Sequence, residues 1–179
     1  MDRQPVLTGE LLELRPLAEA DWPAFHAAAG DPLIWAQHPD TDRWREPECR
    51  AWFAGALAEG GALAAVERAS GELVGSSRFQ EVEFADESAV IGSTFLVRRL
   101  WGGTANAEMK RLMVAHALAF RPRVRFLVGP ENWRSRRALE KIGARLTGET
   151  FTAQLASGPL EHLVYEIERA DFAGGPLAR

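Results

Sequence analysis

The sequence predicts a single α/β domain of the α+β kind, built from about seven strands and about four helices. Three observations carry this expectation. Seven short runs read as strands, the first and last of them alternating with period 2, four segments between them read as helices, and 46% apolar residues in a chain of 179 suffice for one core. The domain is expected to span residues 1–179.

Taken in order, LLELRPL (11–17) alternates as a half-buried strand, and DWPAFHAAAG follows as a helix between an N-cap Asp21 and a C-cap Gly30. Residues 31–46, DPLIWAQHPDTDRWRE, are rich in Pro, Asp and Trp without a clean period and read as an ordered loop. A helix, PECRAWFAGALAEG, starts with Pro47 in its first turn and stops at Gly60 and Gly61. ALAAVERA, a turn at Ser70-Gly71, ELVGSSRFQEVEF and SAVIGSTFLV read as an antiparallel meander. Next come a helix over 105–120, the strand VRFLVG, a helix over 133–142, and two strands, ARLTGETFTAQL and LEHLVYEIER, joined at Ser157-Gly158-Pro159. Helix 105–120 is amphipathic: Met109, Leu112, Met113, His116, Ala117 and Phe120 form one stripe, with Glu108, Lys110 and Arg111 off it. His116 therefore reads as a hydrogen-bonded core residue.

The net charge of −4 hides an uneven distribution. Residues 98–145 carry twelve Lys or Arg against three acids, and the rest carries nine against twenty-two. So acidic a chain argues against a broad nucleic-acid face, although a compact polyanion near 98–145 remains open beside ordinary solvated helix faces. The single Cys49 excludes an internal disulfide and any site with several thiolate ligands. No signal-type or membrane-length apolar run occurs, so a soluble cytoplasmic protein is expected, without membrane association.

Chemistry concentrates at FLVRRLWGGTANAEMKRLM, residues 95–113, where arginines and glycines meet at a strand-to-helix corner. Two glycines remove Cβ atoms where main-chain N–H groups converge, which suits a bound anion. In ENWRSRRALEKIGA, Asn132 is placed as an N-cap with Ser135 three residues on and Gly143 ending the helix. Arg134, Arg136 and Arg137 then crowd the positive end of the helix dipole, a conflict that an anion would relieve.

On these residues, together with the opening LTGELLELRPLAEADWPAF and the strand ELVGSSRF, the sequence resembles the GNAT superfamily of N-acetyltransferases and its RimJ/RimL-type branch. The resemblance covers nearly the whole chain. It implies a central mixed, mostly antiparallel sheet of about seven strands, splayed at an acetyl-CoA site. It further implies that the main chain of Phe95, Leu96 and Val97 pairs with the pantetheine arm. The family turn Arg/Gln-x-x-Gly-x-Gly/Ala wraps the pyrophosphate and here reads Arg99-Leu100-Trp101-Gly102-Gly103-Thr104, followed by Ala105 and Asn106. Thr104 departs from the small residue of the pattern. Asn106 and Asn132 align with family asparagines near the cofactor, and Arg136 and Arg137 are placed to reach its phosphates.

The implied reaction moves the acetyl group of acetyl-CoA directly to a primary amine, a protein N-terminus or a small molecule, in a ternary complex and without metal. It needs a neutral amine, a polarised carbonyl and a proton for the thiolate. The usual family acid, a Tyr seven residues after the asparagine, is Leu139 here. Ser135 is the alternative acid or else a cap partner, with Asn132 holding a water. Glu81, Glu83, Asp86 and Glu87 are candidate bases. Tyr165 and His162 lie on the last strand, and the segment from Trp35 to Trp44, with His38 and Asp40, is a candidate amine pocket. The alternatives are a non-catalytic acyl-CoA-binding module of the same fold and a phosphate-loop hydrolase, whose Gly-x-x-x-x-Gly-Lys-Ser/Thr spacing WGGTANAEMK lacks. Formation of a homodimer is left open.

Overall fold

The sheet begins earlier than its first apolar alternation. β1 (Leu7–Thr8) turns at Gly9 and returns as β2 (Leu12–Pro16), with Leu7 opposite Leu14 and Thr8 opposite Glu13. The computed structural model describes residues 1–179 apart from Glu83, Ala85, Ala156, Ser157 and Arg179. The candidate base Glu83 and the Ser157 of the predicted last turn therefore lie outside the described residues.

α1 (Trp22–Ala29) runs from Asp21 to Gly30 as its signals imply, but the Asp21 side chain makes no cap bond to α1 and accepts from the Ala18 N–H at 2.9 Å. The same carboxylate holds Arg15 through two bonds of 2.7 and 2.8 Å. The predicted loop contains one helical turn, α2 (Pro32–Trp35), started by Asp31, which accepts from the Leu33 N–H at 3.0 Å. An Asp cap followed by Pro suffices for one turn and is too short to show a period. α3 (Glu46–Glu59) ends at Gly60, whose φ of 72° only glycine takes without strain.

β3 (Ala62–Glu67), β4 (Leu73–Gln80) and β5 (Ala89–Leu96) form the expected meander. α4 (Ala105–Leu118), β6 (Arg123–Val128), α5 (Trp133–Lys141), β7 (Arg145–Leu155), β8 (Gly158–Glu168) and the single turn α6 (Arg169–Phe172) complete the chain. The order is β1-β2-β3-β4-β5-β6-β8-β7, with every pair antiparallel except β5 and β6. No helix among the described residues is long and apolar enough to cross a membrane.

Both faces of the sheet are covered. Along β3, Leu63 and Ala65 join the layer under α4, with Leu12, Met109, Met113, Phe126 and Tyr165. Ala62 and Ala64 join the opposite layer, with Phe25, Phe53, Trp35 and Phe95. α4 packs against β1, β2, β5 and β6 at once, so it buries more than one stripe. Met109, Met113 and Ala117 are fully buried as expected, but Lys110 is buried as well, while Phe120 lies past the helix end and is 58% exposed. His116 sits at the margin, its Nε2 2.8 Å from the Asp2 carbonyl oxygen.

The parallel pair is short. Ala89 lies opposite Val124 and Val90 opposite Arg125, and the register goes no further. On its other side, β5 shifts register against β4 between Ser76 and Arg78, beside Ser93 with φ 49°. A bulge of this kind bends the strand, so β5 leaves β6 and a gap opens toward Leu96.

Candidate active site

The gap leads to the arginine and glycine corner. Val97 donates its N–H to the Val74 carbonyl at 2.9 Å, and Phe95 lies opposite Ser76, so both residues turn their main chain to β4. Alternation along the strand then turns Leu96 to the gap. Its carbonyl accepts from the Trp101 indole at 2.9 Å, and its N–H remains on the open edge. The Phe95 side chain faces the layer of Phe25, Trp35 and Trp52. Past a short 3-10 turn at Arg98–Leu100, Gly102 takes φ 75° with open space beside it. Thr104 precedes α4 without a side-chain cap bond, so the first N–H groups of the helix, over 105–107 and including half-buried Asn106, stay open to an anion.

The arginines divide sharply by partner. Arg99 is already paired. It grips Glu67 through two bonds of 2.7 and 2.9 Å and reaches Glu72 at 3.1 Å, tying the turn to the β3–β4 hairpin. The guanidinium holds the Glu67 carboxyl down to about 2, helped by the Ser70 hydroxyl. Arg98 pairs with Asp31. Arg136 turns inward, donating to the Pro130 carbonyl at 3.0 Å and to the Tyr165 hydroxyl at 3.2 Å. Arg137 is exposed on the first turns of α5.

On α5, Asn132 is the N-cap and its side chain accepts from the Ser135 N–H at 3.2 Å. Gly143, with φ 87°, closes the other end. The cap uses the Ser135 main chain and leaves its hydroxyl out of the bond. Leu139 is buried, and Tyr165 is core, its hydroxyl shared between Arg136 and Glu140. His162 is buried on β8, with Nδ1 3.1 Å from the Leu160 carbonyl oxygen.

Arg134 links α5 to Trp101 and to α2. Its guanidinium lies 4.3 Å from the centre of the Trp101 ring and donates to the Leu33 carbonyl at 3.2 Å and to that of Ile34. Trp101 is thus held at its N–H by Leu96 and over its ring by Arg134.

The acidic and aromatic segment does hold a cation, but its own. Arg43 lies over the rings of Trp35 and Trp52 and bonds Asp40 at 2.9 Å, with His38 Nε2 at 3.3 Å. Burial and the Arg43 charge push His38 down to about 3, so it stays neutral. The candidate amine pocket is therefore filled by protein.

The candidate bases are displaced too. Glu81, Asp86 and Glu87 precede β5, at the end where it still pairs with β6. Asp86 bonds Arg125 at 2.8 Å and Ser88, Glu87 lies 3.8 Å from Arg121, and Glu81 meets Arg3 at 3.3 Å. The eight residues of β5 put them ~25 Å from the Gly102 turn. Sequence reading had no means to orient this loop, because its distance from the gap depends on which ends of β5 and β6 pair.

Lys110 is the side chain that pattern reading missed. It is 5% exposed, and its Nζ donates to Thr94 Oγ1 at 2.6 Å. Lys110, Val114 and Ala117 share a helix face, and that spacing was the available signal.

The profile of the acetyltransferase (GNAT) domain family matches residues 12–145. A solved protein described as an acetyltransferase from T. thermophilus is 30% identical, covers 97% of this chain and 95% of its own, and superposes with a TM-score of 0.77. A GCN5-related N-acetyltransferase from Brucella melitensis superposes with a TM-score of 0.80 at 19% identity, over 95% of this chain and 80% of that one. Mycobacterium smegmatis RimJ in complex with CoA-disulfide gives 0.68 at 21% identity, over 93% of this chain and 86% of that one. No curated protein matches the chain.

Proposed function

The chain belongs to the GNAT acetyltransferase family, and from that premise we propose that it transfers the acetyl group of acetyl-CoA to a primary amine as a RimJ/RimL-type enzyme of the cytoplasm. The observation that carries this reading is the gap between β5 and β6, which leads to an uncapped helix N-terminus at Gly102, Gly103 and Thr104. The resemblance to RimJ, at 21% identity, supports the branch more weakly than it supports the fold.

The residues fit the ligand in shape and in chemistry. Leu96 offers an open strand edge to the amides of a pantetheine arm, with Phe95 and Val97 fixing its path by their bonds to β4. Main-chain N–H groups from Gly103 to Asn106 bind the diphosphate, and exposed Arg137 supplies a cation from the facing helix. Arg99 and Arg136 act indirectly, by fixing the turn and the start of α5. When bound, acetyl-CoA supplies an activated acyl group on a good leaving group. Ser135, whose hydroxyl the cap leaves over, protonates the departing sulfur, and Asn132 orients Ser135 through the cap. The acceptor carries a neutral amine, either at a protein N-terminus or on a small molecule.

Two measurements test this reading. Acetyl-CoA, and not acetate or ATP, should raise the melting temperature, since a ligand bound only by the folded state stabilises it. Isotope-labelled acetyl-CoA should then label at least one member of a panel of peptides and small amines. Neither a thermal shift nor transfer at saturating acetyl-CoA would end the proposal.

A further inference from the structure

An amine that becomes an amide must shed a proton, and the acids expected to take it sit at the far end of β5. Lys110 lies where they do not. Its Nζ is 2.6 Å from Thr94 Oγ1 and 5.4 Å from the centre of the Phe126 ring. Thr94 belongs to β5 and Phe126 to β6, and both come after the last ladder pair, Val90 with Arg125. The amine therefore lies under the mouth of the gap, touching both strands from the α4 side. Thr94 Oγ1 is also 2.7 Å from Ser77 Oγ, and either hydroxyl can donate. A polar line thus crosses an otherwise apolar layer.

No charged group faces Lys110 among the described residues. On β6, Arg123 and Arg125 alternate away from Phe126 and pair with acids on the other face. On β2, Glu13 and Arg15 alternate away from Leu12 and Leu14, and on β4 Arg78 pairs with Glu59 in the opposite layer. β5 carries no ionisable side chain. Glu108, on α4 itself, is held by the N–H groups of Glu10, Leu11 and Leu12, and Tyr165 beside Phe126 bonds Glu140. Burial alone therefore acts on the amine and pushes it down to about 7.

We propose that Lys110, acting through the Thr94 hydroxyl, accepts the proton that the acceptor amine gives up during acetyl transfer. The proposal rests on the acetyltransferase reading. The amine nitrogen bonds to the acetyl carbon as the carbon–sulfur bond breaks, and sulfur leaves with the electron pair. The excess proton on nitrogen passes to Thr94 Oγ1 while the Thr94 hydroxyl proton passes to the lone pair of Lys110. Sulfur takes a proton from Ser135, which regains one from water, and Lys110 releases its proton to water. Amine and thioester thus become amide and thiol with no net proton change.

Because Lys110 acts through Thr94, it is a positioning residue, and its pH profile isolates it. With acetyl-CoA and the best amine of the panel, wild-type kcat should rise with pH through about 7. Lys110→Met and Thr94→Val, which keep shape without the polar atom, should each lower kcat about 10²-fold and lose this limb, with KM for acetyl-CoA within about twofold. Lys110→Arg, charged throughout, should behave like Lys110→Met. A second readout needs no turnover. The unfolded chain binds more protons than the folded one between about 7 and 10.5 at this site. Stability should therefore rise with pH across that window in the wild type, and less so in Lys110→Met. A wild-type pH limb retained by Lys110→Met overturns the relay. Failure of the wild type to acetylate any amine of the panel instead overturns the acetyltransferase reading, and the relay with it.

Discussion

Ser135 contributes its main-chain N–H to the Asn132 cap, which separates its two roles by atom. Ser135→Ala keeps that bond, so melting temperature and acetyl-CoA affinity should hold while kcat falls about 10²-fold, the effect of a removed general acid. An unchanged kcat would move the proton source to water. Asn132 and Gly143 were legible because a cap and a positive-φ glycine are local devices that leave a local signature. Lys110 was not, because its burial depends on four strands meeting one helix. Arg43 hid for the same reason: nothing local shows that an aromatic and acidic segment folds around its own guanidinium rather than a ligand's amine.

At the scale of elements, the Gly102 turn depends on the β3–β4 hairpin through Arg99. The resemblance assigned Arg99 to the pyrophosphate, whereas here it is spent on Glu67 and Glu72. Arg99→Glu should therefore lower the melting temperature without ligand, and Glu67→Arg in the same chain should recover much of it. A direct phosphate contact would leave the ligand-free melting temperature intact and lose affinity alone. Strands of five or more residues were readable, β2 by its alternation and the meander by apolar runs set between turn signals. β1, α2 and α6 were not, since two to four residues hold less than one informative period.

Over the whole molecule, polarity along the chain does not become polarity in space. The basic stretch 98–145 folds against acids from elsewhere: Arg98 on Asp31, Arg99 on Glu67, Arg123 and Arg125 on Asp86, Arg145 on Glu166 and Glu168. What reads as a polyanion surface is largely a set of internal pairings, while exposed Arg137 lies outside them.

The brief contact between β5 and β6 also bears on cooperativity. β1 to β5 form one half-sheet and β6, β8 and β7 another, stitched by two residue pairs and bridged by α4. Native-state hydrogen exchange should resolve them as two foldons, with the amides of β6 and β8 opening at a free energy distinct from those of β3 and β4. A single common opening energy would show one unit instead. A strand-like ligand lying in the gap would supply the missing ladder, so binding should merge the two foldons into one.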